Sequence, residues 1–246
     1  MSSMGTVKKP DIIRRMIIIN DDYIRKNRRS DGKINLPLGA ANTKNNQIIL
    51  NKFALDKNAT LLTDADIQDI KSRLKHVDEN DIIAHEFQHI HNSSIGYNYL
   101  ANSDNIYECM MLAMADELSA MIAGYIHKTK NLDDAVNLAI ENMSKPLRQE
   151  YIKGQFANHF AHLQKVWGEY KNLYELKYDS KKIKQVTNYY FTINGQNIFQ
   201  SQELVTKTTK LKFNTFFTEF KNEIKEFINN YIQNKALSNQ SNFTHQ

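Results

Sequence analysis

A single cysteine, Cys109, stands among the 246 residues, so the chain can form no internal disulfide and carries no cysteine cluster for a zinc ribbon. A reducing compartment fits that usage best. Charge-free apolar runs of the ~18 residues needed to cross a bilayer are also missing. The nearest approach, Met110 to Ile126, is broken by Asp116 and Glu117. The first residues, MSSMGTVKKPDIIRR, offer no apolar stretch followed by a cleavage site. The expected setting is therefore the cytoplasm, with signal-free secretion as the other route and no membrane partner. Basic residues gather only at Arg25-Lys26-Asn27-Arg28-Arg29 and between 177 and 184, within a net charge of +5 and a pI near 9.0. No basic stripe interleaved with stacking aromatics and no helix-turn-helix stands out, so nucleic acid is not an expected partner. No internal repeat is present. A hydrophobic fraction of 41% with mean hydropathy −0.58 suits a soluble protein with an adequate core.

Against these absences stands one dense string, His85-Glu86-Phe87-Gln88-His89, which reads H-E-x-x-H. On a helix, residues four apart lie one turn apart on one face. Two imidazoles so placed can bind one metal ion, and the intervening glutamate can reach a water on it. The flanks favour a helix. Asp78, Asn80 or Asp81 can cap its start, Glu79 and Asp81 suit the positive end of its dipole, and Asn92-Ser93-Ser94 with Gly96 supplies stop signals. His91 falls two residues past His89, hence on another face, and reads as a residue that interacts with the helix C-terminus.

Catalytic zinc usually takes three protein ligands and keeps one position for water. The next informative stretch, Tyr107 to Tyr125, is apolar on nearly every side, as a core helix is. Asp116 and Glu117 interrupt it, and a buried carboxylate is costly unless paired or bound to a metal. Glu117 sits on a stripe with Met110, Ala113, Met114, Ala120, Met121 and Gly124. Glu117-Leu118-Ser119-Ala120 matches E-x-x-A. Over residues 80 to 125 the chain thus resembles the gluzincin type of zinc metallopeptidase, which carries H-E-x-x-H on one helix and a ligating Glu on a second. The metzincin extension, with a third histidine, is absent.

The resemblance implies one zinc ion per chain held by His85, His89 and Glu117, with Glu86 as general base in peptide-bond hydrolysis. Asp116 competes with Glu117 for the ligand role, and otherwise becomes an acceptor that orients a ligand imidazole. The substrate is expected to be a peptide or protein. A donor to the developing oxyanion is also expected, with His159, His162, Tyr125, Tyr97 and Tyr99 as candidates. Two other functions compete: a non-catalytic zincin-like scaffold that binds a protein partner, and a regulatory peptidase that cleaves a repressor.

Patterning along the chain predicts a flexible lead over 1–10 and a buried strand from Arg15 to Asn20. A polar stretch broken by turns follows over 21–46, then a second strand from Gln47 to Leu55. Thr63 or Asp64 should cap a helix ending near His76. After the motif helix and the Glu117 helix, Asn131 or Asp133 opens a helix to about Met143, and Ser144 with Pro146 begins a long one to about Leu173. Asn194-Gly195 predicts a hairpin over 186–204. Lys207 to Lys235 should be a final amphipathic helix, and 237–246 a disordered tail. The expected fold is α+β and zincin-like, with a small N-terminal sheet over the motif helix. A catalytic core over 11–130 precedes a helical part with the hairpin over 131–236. In such a fold an edge strand pairs with extended substrate, a role expected here of residues 47–55.

Overall fold

The computed structural model describes residues 8–29, 31–94, 106–167, 190–193, 196–198 and 204–243, without the side chains of 159–167, 192, 193, 196 and 235–243. The fold is α+β, and the chain forms two compact units, Met1–Ile95 and Gly96–Gln246. The helix carrying Glu117 belongs to the second unit.

The first unit holds strands β1 (Asp11–Ile19), β2 (Gly39–Asn42) and β3 (Gln47–Leu55) and helices α1 (Asp21–Asn27), α2 (Asp64–Lys75) and α3 (Glu79–Ser94). The sheet order is β1-β3-β2, with β1 parallel and β2 antiparallel to β3. The 47–55 strand is therefore the middle strand, which corrects the expectation that it forms the edge. The reason is β2. Gly39-Ala40-Ala41-Asn42 has no β-branched or aromatic residue and reads as part of a turn-rich stretch, as does α1. Pairing with β3 makes β2 a strand regardless of propensity. The loop between them closes at Asn46, whose positive φ of 53° asparagine tolerates.

The first strand begins earlier than expected and is mostly exposed. Its outermost position explains this: Met16 and Ile18 remain 60% and 57% exposed, and only Ile19 is fully buried. Apolarity alone does not tell an edge strand from a buried one. Side chains alternate across the sheet. On one face Ile48 and Leu50 pack with Ile90, Ile82, Ile83 and Phe87 of α3. On the other, Ile19 packs with Ile24 of α1, Ile34, Leu36 and Ile70 of α2, bordered by Phe53 and Leu55.

Helix α2 starts as expected at Thr63, whose hydroxyl accepts the Asp66 N–H while the Asp66 carboxylate accepts the Thr63 N–H. The same carboxylate takes a two-pronged bond from Arg28, at 3.0 and 2.9 Å. The Arg28 bond, foremost, holds the Asp66 carboxyl far below the usual carboxylate range, against the opposing effect of burial. A depressed folded-state pKa contributes stability that is fully present above the ordinary carboxyl pKa and is lost as pH falls from there through the depressed folded-state pKa. Asp66→Asn should thus cost on the order of 2 kcal/mol near pH 7 and well under half of that by about pH 2. Urea unfolding of both proteins at the two pH values checks this; an equal gap at both would remove the ion pair as its source.

In the second unit, helices α4 (Ile106–Thr129), α5 (Leu132–Asn142), α6 (Lys145–Trp167) and α7 (Lys207–Phe243) share one core, and β4 (Thr192–Ile193) pairs antiparallel with β5 (Gln196–Asn197). This short pair is the described part of the expected 186–204 hairpin. Asn131 caps α5 by accepting the Asp134 N–H. Helix α7 runs through 237–243, which corrects the disordered tail expected there. The segment is polar but has neither Gly nor Pro, so nothing in it stops a helix already propagating from Lys207. Residues 168–173, expected to continue α6, lie outside the described residues. Helix α4 is long and apolar enough to span a bilayer, yet it is mostly buried within its own unit, against α5, α6 and α7.

Candidate metal centre

Helix α3 is held at its start by charge and along its length by the sheet. The Asp78 carboxylate accepts the Asn80 N–H at 2.8 Å. Glu79 takes bonds from Arg14 of β1 at 3.0 Å and from Lys52 of β3 at 3.3 Å. Those cations, Arg14 first, hold its carboxyl below the usual range. Ile82, Ile83, Phe87 and Ile90 then seat the helix on Ile48 and Leu50. The sheet thus sets the rotation of the helix, and with it the directions of His85, Glu86 and His89.

The two imidazoles converge. The His85 and His89 Nε2 atoms lie 3.2 Å apart, with the ring planes at 77° and their centroids 4.9 Å apart. Two imidazole nitrogens at that separation share either one proton or one cation. A zinc ion about 2.05 Å from each nitrogen would see them at an angle of about 103°, close to tetrahedral. The donor set therefore fits the metal that its residue types suggest, before any side chain moves. Both rings are half-buried. Beside them the Gln88 amide donates to Asn92 Oδ1 at 2.8 Å, and Asn92 is almost fully buried.

No protein-family model, curated protein or solved structure matches this chain.

Its chemistry must therefore be read from its own residues. Glu86 is 8% exposed, unusual for a carboxylate one residue from a half-buried histidine. Its side chain lies against the backbone of β2: a Cβ built on Gly39 would stand 2.7 Å from Glu86 Oε1 and 3.0 Å from its Cγ. Glu86, the histidine pair and the β2 edge thus meet within one unit. Gly39 is the site residue that sequence reasoning missed. The available signal was the row of small residues Gly39-Ala40-Ala41 before the four-residue turn into the Gln47 strand, a hairpin pattern with almost no side chains on one arm.

The remaining candidates lie in the second unit. Residues 106–115 of α4 are all buried, and the first two positions where that burial breaks are Asp116 and Glu117, both half-buried. The Asp116 carbonyl accepts the Ser119 hydroxyl at 2.8 Å. The half-buried Tyr125 phenol is pushed above its usual pKa, by burial first and by the Glu117 charge second, so it keeps its proton and its capacity to donate at neutral pH. His159 and His162 fall on α6, and their side chains lie outside the described residues, as do Tyr97 and Tyr99. His91 lies in the last turn of α3, where its carbonyl accepts the Ser94 hydroxyl.

Proposed function

We propose that this protein is a zinc-dependent peptidase of zincin-like architecture in which His85, His89 and Glu117 bind the metal and Glu86 is the general base. The observation that carries the reading is the convergence of the two Nε2 atoms at 3.2 Å on a helix whose intervening glutamate is buried against a strand edge. Glu117 enters as third ligand on the E-x-x-A resemblance and on its half-buried place in a helix otherwise sunk in a core. Asp116 takes the supporting role of an acceptor that orients an imidazole.

Zinc bound there supplies Lewis acidity and a water acidified towards neutrality. The Glu86 carboxylate accepts the proton of the attacking water and returns it to the leaving amine nitrogen. The sheet suggests how a substrate backbone is held. Asn51 donates its N–H to the Leu38 carbonyl at 2.9 Å, and the register pairs Gly39 with Leu50. That phase turns the N–H and C=O groups of Gly39 and Ala41 away from β3, to the outer side of β2 in the described sheet. An extended peptide pairs with them by β-augmentation and so runs beside Glu86. The role expected of 47–55 passes to 39–42. A soluble, cytoplasmic setting agrees with a chain whose one span-length apolar helix among the described residues is buried among its neighbours.

Metal analysis of the purified protein with a peptide-library digest tests this reading. The expected result is one zinc per chain and cleavage that a chelator abolishes. Glu117→Ala should weaken zinc binding by more than ~100-fold, and Asp116→Ala by ~10-fold, the smaller effect typical of a residue that only orients a ligand. Metal-free protein whose stability ignores chelator would overturn the metal centre. Full zinc occupancy with no cleavage of any peptide would instead make the protein a scaffold.

A further inference from the structure

We infer that Gly39 is a positioning residue for Glu86: its missing side chain is the seat that holds the general base in place. The inference rests on the peptidase reading above and adds to it the part of the chain that aims the base.

An added Cβ at Gly39 would meet Ile82 Cγ2 at 2.6 Å, Glu86 Oε1 at 2.7 Å and Glu86 Cγ at 3.0 Å. Real Cβ atoms do not approach heavy atoms below about 3 Å, so one of these groups must move. They differ in how easily they yield. Ile82 Cγ2 is a branch methyl on a stiff χ1 in a helix, packed in the cluster with Ile48, Leu50 and Ile90. Glu86 Oε1 is the far end of a side chain with three rotatable bonds. An alanine at 39 therefore displaces the carboxylate first. No positive φ compels glycine here: Gly39 sits in regular strand pairing, and Gly32 is the described glycine with positive φ. Close approach of helix to strand is what position 39 accommodates. The residue that seats the base also turns its N–H and C=O to the outer edge of β2. One short piece of main chain would thus both hold a peptide and locate the proton acceptor.

The experiment uses the full chain with zinc and a peptide that the wild type cleaves. Gly39→Ala should retain one zinc per chain, because the three atoms nearest the added methyl belong to Ile82 and Glu86 rather than to the histidines. It should lower kcat by ~100-fold or more with KM changed less than ~5-fold, since a displaced base removes a transition-state interaction. In a Glu86→Asp background, whose carboxylate is one methylene shorter and no longer reaches the Oε1 position, the further loss of kcat from Gly39→Ala should shrink below ~5-fold. Thermal unfolding gives a reading independent of turnover. Gly39→Ala should lower Tm, and Glu86→Ala should recover part of that loss. Should Gly39→Ala fail to fold, Gly39→Ala with Ile82→Ala removes the stiff clash and leaves the one with Glu86. That protein should bind zinc and lose at least tenfold more kcat than Ile82→Ala alone. A Gly39→Ala enzyme within ~3-fold of wild-type kcat, or an equal loss in the wild-type and Glu86→Asp backgrounds, would overturn the positioning role and leave the peptidase reading standing. A zinc-loaded wild type that cleaves nothing overturns the peptidase reading itself, and the positioning role with it.

Discussion

Glu86→Gln is expected to keep one zinc per chain and to lower peptide cleavage by about 10³-fold, within the ~10²–10⁴ range that a positioned acid–base group contributes. The substitution is nearly isosteric, so it keeps the seat against Gly39 and Ile82 and leaves the histidine pair alone. What it removes is the ability to take a proton and pass it on. A loss in kcat with retained zinc and retained Tm is thus the signature of a base, whereas a structural role for this 8% exposed side chain would appear as a fall in Tm. Cleavage within tenfold of wild type at full zinc occupancy would sink the assignment. Loss of zinc from the variant would sink it too, by showing that Glu86 supports the metal rather than the proton transfer.

The largest stability effect is expected far along the chain, at Arg148 of α6. Arg148→Ala should lower the unfolding free energy of the helical unit by about 3–5 kcal/mol, the loss usual when one partner of a buried pair is removed. The Arg148 side chain is 8% exposed and its Glu223 partner 10%. Two guanidinium nitrogens bond the Glu223 carboxylate at 2.9 and 2.6 Å, and a third donates to the Met143 carbonyl at 3.1 Å. The guanidinium also lies 5.4 Å from the Phe216 ring centre. Glu223, first among its partners, holds the Arg148 proton more tightly than usual. Glu219, 54% exposed, adds little. Alanine leaves the Glu223 charge buried without its cation, which is the costly outcome. Arg148→Met with Glu223→Leu should recover most of the loss, because replacing both partners with apolar groups removes the stranded charge. Urea midpoints followed by circular dichroism would show this. A single-variant loss under about 1 kcal/mol would mean that water or another group compensates.

Where local chemistry decides, the residues were legible. Thr63 with Asp66, Asn131 with Asp134, and the apolar residues clustered from Gln47 to Leu55 each specify an element through contacts within a few residues. The motif helix was legible for the same reason: its acidic first turn and its apolar stripe are both written within sixteen residues. The failures share a different cause. Gly39–Asn42 becomes a strand because β3 and α3 accept it, Asp11–Ile19 lies at the edge because β2 takes the other side of β3, and 237–243 continues a helix begun thirty residues earlier. None of these outcomes is encoded where it occurs. The histidine pair and the glutamate between them were therefore visible from spacing alone, while the glycine beside that glutamate was not, since it meets residues more than forty positions away.

On the peptidase reading proposed above, the phase of β2 has a consequence for where cleavage would fall. A peptide lying on this edge would engage Gly39 and Ala41 through alternate residues, and it could slip only by steps that restore those bonds. The smallest such step is two residues, about 7 Å of chain. Because Glu86 rests on the same strand, a slipped peptide presents a different bond to an acceptor that has not moved. The edge would then work as a ruler with coarse divisions: side chains of the substrate choose the division, and the glycine marks its zero.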